Sequence, residues 1–246
     1  MKENKYDDPV FFEKYSRMDR SQQGLEGAGE WHILKKMMPD FVGKRVMDLG
    51  CGFGFGWHCR YAAEHGARSV VGIDISEKMI AEALRINKLP EIEYRVMPVE
   101  EIDYGKNTFD IVFSSLTFHY IESFGDMVAR IDHCLISGGA FVFSAEHPVF
   151  TAYGNQDWYY DEAGNRLHWP VDHYFSEGKR ESVFLGEKTM KYHKTLTTYI
   201  NTLLKHGFEI RELIEAQPSE EALRMIPEMK EELRRPMMLL ISALKR

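Results

Sequence analysis

The residues best suited to chemistry in this 246-residue chain are an acid and three alternating glycines in RVMDLGCGFGFG, residues 45–56. Val46, Met47 and Leu49 suit a buried parallel strand, and Asp48 stands at its end. Gly50, Gly52 and Gly54 then allow a sharp turn and a close approach of backbone to ligand. A dinucleotide fingerprint needs glycine at i, i+2 and i+5, and the last place here holds Phe55, Trp57 or Cys59. A second apolar run, Val70 to Ile73, ends in Asp74, where a carboxylate at a strand tip can accept ribose hydroxyls. Two further groups carry titratable side chains. Glu146 and His147 end the run FVFSAEHP, either as an acid/base pair or as an edge ion pair and a backbone-bonded ring. His119, in FSSLTFHYI, reads either as a base or as a packed aromatic.

These groups must be held by an alternation of strands and helices. Strands are predicted over Val46 to Leu49, Val70 to Ile73, Ile92 to Val96, Phe109 to Ser114 and Ala140 to Ser144. Helices fit between them: Trp57 to His65, a Ser76-capped segment to Asn87, and Ser123 to Leu135 before a Gly138-Gly139 turn. Thr195 to His206 reads as a helix, with strands over Phe208 to Ile214 and Met237 to Leu244. Such alternation makes a doubly wound parallel α/β sheet whose strand ends share one ligand-binding edge.

The acid followed by GxGxG, with GIDIS and FDIVFSSLTFHYI, resembles the class I S-adenosylmethionine-dependent methyltransferases over residues 43–146 and 196–246. The stretches AGEW, WHCRYA and SAEHP resemble those of uncharacterised bacterial small-molecule methyltransferases. The resemblance implies a Rossmann-like seven-stranded sheet with the last strand antiparallel, helices on both faces, and S-adenosyl-L-methionine as cofactor, leaving S-adenosyl-L-homocysteine. It implies that Asp48 steadies the loop and faces the cationic methionyl end, with Gly50, Cys51, Gly52 and Gly54 around it. Asp74, Ile75 and Met79 would hold the ribose side, and Ser114 or Ser115 the methionyl portion, with His119 beside the adenosine. The adenine would lie against MPVEEI, where Pro98 replaces the family's usual acid, so recognition falls to backbone near Val99 or to Glu100.

One domain is expected over 1–246, with a helical N-terminal extension over 1–42 and an inserted cap over 147–195. In the extension, Tyr15, Arg20 and Trp31 are candidates to line a lid over the cofactor. The cap holds ten of the chain's aromatic residues and four of its ten His, too aromatic for a disordered loop. Trp158, Tyr159, Tyr174, Arg180, Tyr192 and His193 are its candidate acceptor-binding residues, and an oligomer contact is the other use of such a surface. A net charge of -7 lacks the basic footprint of a nucleic-acid partner. Three Cys without a CxxC pair support neither disulfides nor a metal site, and fit a reducing cytoplasm. The chain shows no apolar run of membrane-spanning length. The function expected is methyl transfer to an O or N nucleophile of a small molecule by a monomer or homodimer; a non-catalytic cofactor-binding sensor or scaffold is the alternative.

Overall fold

The computed structural model describes residues 4–52 and 54–246, so residues 1–3 of the N-terminal extension and Phe53 of the glycine loop lie outside the described residues. Three short helices open the chain: α1 (Pro9–Ser16), α2 (Asp19–Gln22) and α3 (Trp31–Met37). The alternating core follows as β1 (Arg45–Leu49), α4 (Trp57–Glu64), β2 (Ser69–Asp74), α5 (Glu77–Ile86), β3 (Ile92–Val96), β4 (Phe109–Ser115), α6 (Phe124–Cys134) and β5 (Leu135–Glu146). The insertion carries α7 (Pro148–Thr151), β6 (Tyr159–Tyr160), β7 (Arg166–His168), β8 (Gly178–Phe184) and β9 (Glu187–His193). The chain then closes with α8 (Leu196–Lys205), β10 (Phe208–Ala216), α9 (Glu220–Met225) and β11 (Met238–Lys245).

Seven strands form one sheet in the order β10-β11-β5-β4-β1-β2-β3, and β11 runs antiparallel to both its neighbours. This is the seven-stranded α/β fold that the resemblance implies. Two-residue periodicity divides its core. Val112, Phe141, Phe143, Leu239 and Ile241 pack on one face with Phe124 of α6 and Tyr199 of α8. The alternate residues Phe113, Val142 and Leu240 pack on the other with Trp31 and Leu34 of α3. Trp31 is thus a core residue of the second face.

Local signals set most boundaries. Ser76, Ser123 and Thr195 accept the backbone N–H three residues on and start α5, α6 and α8 where the sequence placed them. The Gly138-Gly139 pair differs from expectation. It lies inside β5, where Gly138 takes φ +75° and the pairing with β4 jumps from Phe109–Leu135 to Ile111–Ala140. A bulge therefore replaces the turn.

In the insertion, β6–β7 and β8–β9 form two hairpins outside the main sheet. The second meets the N-terminal extension: Phe11 packs edge-on to Phe184 at 5.9 Å, and Lys14 Nζ donates to Leu185 O and Glu187 Oε1. Extension and cap meet along this contact.

Candidate active site

The carboxyl edge of the parallel strands holds a cleft of about 460 Å³ lined by Tyr6, Gly50, Gly52, Asp74, Ile75, Met79, Val99, Leu116, Thr117 and Tyr120. Its floor is the loop after β1. Gly50 N and Cys51 N both donate to Ile73 O, which ties the loop to the tip of β2. Gly50 takes φ +77°, and a Cβ there would stand 2.0 Å from Thr117 Oγ1. At Gly52 a Cβ would meet Asp74 Oδ2 at 2.6 Å. Both positions need glycine for space, the first also for conformation. Gly54, Phe55 and Gly56, which lead into α4 at Trp57, all take positive φ. Gly54 is outside the cleft lining, and the Tyr15 hydroxyl reaches its backbone.

Two acids stand in this floor. Asp74 accepts Gly52 N–H at 3.0 Å and Ser76 N–H at 2.8 Å, yet burial still raises its carboxyl to about 6. Asp48 lies beneath the loop and receives the Cys59 thiol at 3.3 Å; burial raises it to about 7. Cys51 is buried with it below the cleft floor. Two buried carboxyls held above their ordinary range would be stabilised as anions by a bound cation. The glycine cradle and these acids fit a ligand carrying a ribose and a cationic amine.

The cleft wall corrects the expectation for Ser114 and Ser115. Ser114 Oγ donates to Leu49 O at 2.8 Å and Ser115 Oγ to Glu30 Oε1 at 3.1 Å, so both hydroxyls serve the fold. Leu116 and Thr117 line the cleft instead. Leu116 takes φ +51°, held there by hydrogen bonds from its N–H to Ser144 O and Oγ. Arg20 is drawn to the same buried acid, its Nη2 3.1 Å from Glu30 Oε2, and is absent from the cleft lining. Burial would raise the Glu30 carboxyl, but Arg20 and Ser115 among others hold it below its usual range. Tyr15 is buried against Tyr6 and Phe55 and is absent from the cleft lining. Val99 lines the cleft on the turn 99–101 that also carries Glu100.

His119 and Glu146 come together, each engaged by partners within the protein. His119 Nδ1 accepts the backbone N–H of Glu146 at 3.3 Å, which leaves Nε2 as the protonated nitrogen of the neutral ring. Burial lowers its pKa to about 3. Glu146 is engaged at both oxygens: Lys191 Nζ donates to Oε1 and Gln156 Nε2 to Oε2 at 2.6 Å. Burial opposes its charge, and Lys191 and His119 outweigh that and hold the carboxyl below its usual range. His147 turns away altogether: its Nδ1 accepts Val149 N–H at the start of α7, and Nε2 stands 2.9 Å from Glu215 Oε1.

None of the six predicted acceptor residues lines the cleft. Trp158 packs edge-on to Trp169 at 5.4 Å beneath the Arg234 guanidinium. Tyr159 is exposed and stacks on His168. Arg180 donates to the carbonyls of Ala152, His173 and Ser176, and His193 bridges Thr151 Oγ1 and Tyr174 O. The Tyr174 hydroxyl accepts Leu196 N–H, and the Tyr192 ring faces Lys194. These residues build the cap itself. The lining residues missed were Tyr6, Leu116, Thr117 and Tyr120, of which the last three lie within the LTFHY stretch that follows β4.

The sheet order, the β1 loop and the acid at the tip of β2 define a Rossmann-like fold of the class I methyltransferase kind. Residues 47–143 match the methyltransferase domain model. A Listeria monocytogenes structure assigned as an S-adenosylmethionine dependent methyltransferase is 57% identical, with a TM-score of 0.86, covering 91% of this chain and 99% of that one. One from Mesorhizobium loti is 41% identical, with a TM-score of 0.82 over 90% of this chain and all of that one. An uncharacterised Haemophilus influenzae protein is 32% identical over 247 residues, 98% of this chain and 96% of its own. The chain belongs to the S-adenosylmethionine-dependent methyltransferases, and its cofactor is S-adenosyl-L-methionine.

Proposed function

We propose that this single-domain enzyme methylates an O or N nucleophile of a small molecule held against Tyr6 and Tyr120. The observation that carries the reading is the position of these two rings. Both line the cleft beside Leu116 and Thr117, their hydroxyls are 3.3 Å apart, and the Phe11–Phe184 contact joins extension to cap. Bound S-adenosylmethionine supplies a methyl on a positively charged sulfur, a good leaving group. The protein's task is then alignment. Gly50, Gly52 and Asp74 fix the floor, Asp48 offsets a cationic charge, and the tyrosines orient the acceptor and limit water at the cleft. With His119 Nδ1 and both Glu146 oxygens engaged, the acceptor's proton passes to solvent rather than to a built base.

A small acceptor suits the apolar ring pair, and the charge of -7 disfavours a nucleic-acid substrate. Among the described residues no helix is long and apolar enough to cross a membrane. We place the enzyme in the cytoplasm, as a monomer or homodimer. The test is a screen of small alcohols, phenols, carboxylates and amines for S-adenosylhomocysteine formation, with tRNA and denatured protein as further arms. A small-molecule hit whose kcat/KM falls about tenfold or more in Tyr120→Phe, at unchanged S-adenosylhomocysteine affinity, supports the reading. Turnover on tRNA or protein alone overturns it, and no turnover on any arm favours the sensor.

A further inference from the structure

We propose that Lys191 of the cap is a positioning residue for methyl transfer, acting through the Tyr120 ring. This rests on the assignment of Tyr120 to the acceptor end of the cleft. Lys191 is 2% exposed, and its Nζ donates to Glu146 Oε1 and to Gln156 Oε1. The same ammonium stands 5.8 Å from the centroid of Tyr120 and 5.7 Å from that of Phe184. From another side the His119 ring lies 4.4 Å from Tyr120, and His119 is itself held by Glu146 N–H. Glu146 thus reaches Tyr120 by two routes, one through the cap and one through the chain segment that carries the ring.

A second lysine of the cap secures that segment from its ends. Lys194 Nζ donates to the carbonyls of Phe118 and Ile121, which flank His119 and Tyr120, and to Tyr192 O. The 118–120 turn is therefore gripped at its backbone by Lys194 and at its rings by the Lys191–Glu146 pair. Stability alone does not call for this design. A buried ion pair costs desolvation on both sides, and apolar residues of the same volume commonly serve as well or better. What the pair adds is direction: an ammonium with two fixed oxygen partners has one place to sit, and the Tyr120 face is beside it.

The experiment uses the full chain labelled with 3-fluorotyrosine and saturated with S-adenosylhomocysteine, with the Tyr120 fluorine resonance assigned by Tyr120→Phe. Lys191→Met is expected to shift or split that resonance while S-adenosylhomocysteine affinity stays at the wild-type value. Because the single variant leaves Glu146 charged and buried, Glu146→Gln/Lys191→Met is measured beside it. The double variant should fold normally and still show a displaced Tyr120. A single unshifted Tyr120 resonance in either folded variant overturns the proposal, as does a loss of cofactor affinity without a Tyr120 change. The acceptor assignment fails separately, in the Tyr120→Phe turnover assay.

Discussion

The floor of the cleft and the cap above it use polar and aromatic residues in opposite ways. In the floor, backbone does most of the holding: Gly50, Cys51 and Gly52 donate to Ile73 O and Asp74, and the acids keep capacity for a ligand. In the cap, side chains are spent on one another. Arg180 takes four cap carbonyls, His193 bridges two cap segments, and from outside the cap the Arg235 guanidinium lies 4.2 Å from the Trp169 ring centroid and 4.7 Å from that of Phe150. Wealth in aromatic and basic residues thus marks an insertion that pairs with no strand of the main sheet and is held by side-chain contacts within itself and to the arginines before β11. Unspent binding capacity marks the ligand site.

Substitutions should separate the two regions sharply. The largest effect is expected for Gly52→Val, whose Cβ would meet Asp74 Oδ2 and Met79 Cβ at 2.6 Å. Calorimetry should show S-adenosylhomocysteine binding weakened by at least about a hundredfold, with circular dichroism near wild type. Gly50→Val is a poorer probe, because it adds to a clash with Thr117 a backbone at φ +77° that valine rarely adopts. Next is Glu146→Gln, which leaves Lys191 as an uncompensated buried charge and should cost roughly 3 kcal/mol of stability in denaturant melts. A wild-type melt with turnover reduced more than about a hundredfold would restore Glu146 as a base.

A pH series probes the floor through its two acids. Asp48 and Asp74 titrate near 7 and 6 in the cofactor-free fold, above their unfolded values. The native state therefore holds protons that the unfolded chain releases, and their contribution to stability, full below pH 4, is lost as pH rises through 6 and 7. A cation bound by the anions reverses the preference. S-adenosylhomocysteine should bind about tenfold more weakly at pH 5.5 than at pH 7.5, and a flat profile would remove Asp48 from the methionyl end. The smallest effect is expected for Tyr159→Ala, on a side chain 58% exposed, with stability and cofactor affinity both within about 0.5 kcal/mol of wild type.

What was legible in the sequence follows the same division. Helix caps at Ser76, Ser123 and Thr195 and the glycines of the floor act within a few residues, so their types and spacing specify them. The hydroxyls of Ser114 and Ser115 were misread because their acceptors, Leu49 O and Glu30, are brought close only by the folded sheet and the extension. Glu146 and His147 are adjacent in sequence, yet one joins Lys191 from the cap and the other Glu215 from β10, partners no local pattern announces. Tyr6 had no signal at all, since a single tyrosine among charges gives no periodicity. The cap aromatics expected around the acceptor are turned to other partners: Trp158 packs on Trp169, Tyr174 meets His193, and Tyr159 stacks on His168 at the surface.

The direct measurement is calorimetric titration of S-adenosylhomocysteine into Asp74→Ala and Trp158→Ala side by side. Loss of the acceptor at the β2 tip should weaken binding by roughly 2 kcal/mol, about thirtyfold. Trp158, buried against Trp169 and the arginines, should lose about 3 kcal/mol of stability on truncation and leave the affinity within about twofold. Wild-type affinity in a folded Asp74→Ala, or a thirtyfold loss confined to Trp158→Ala, would contradict the placement of the cofactor site on the floor.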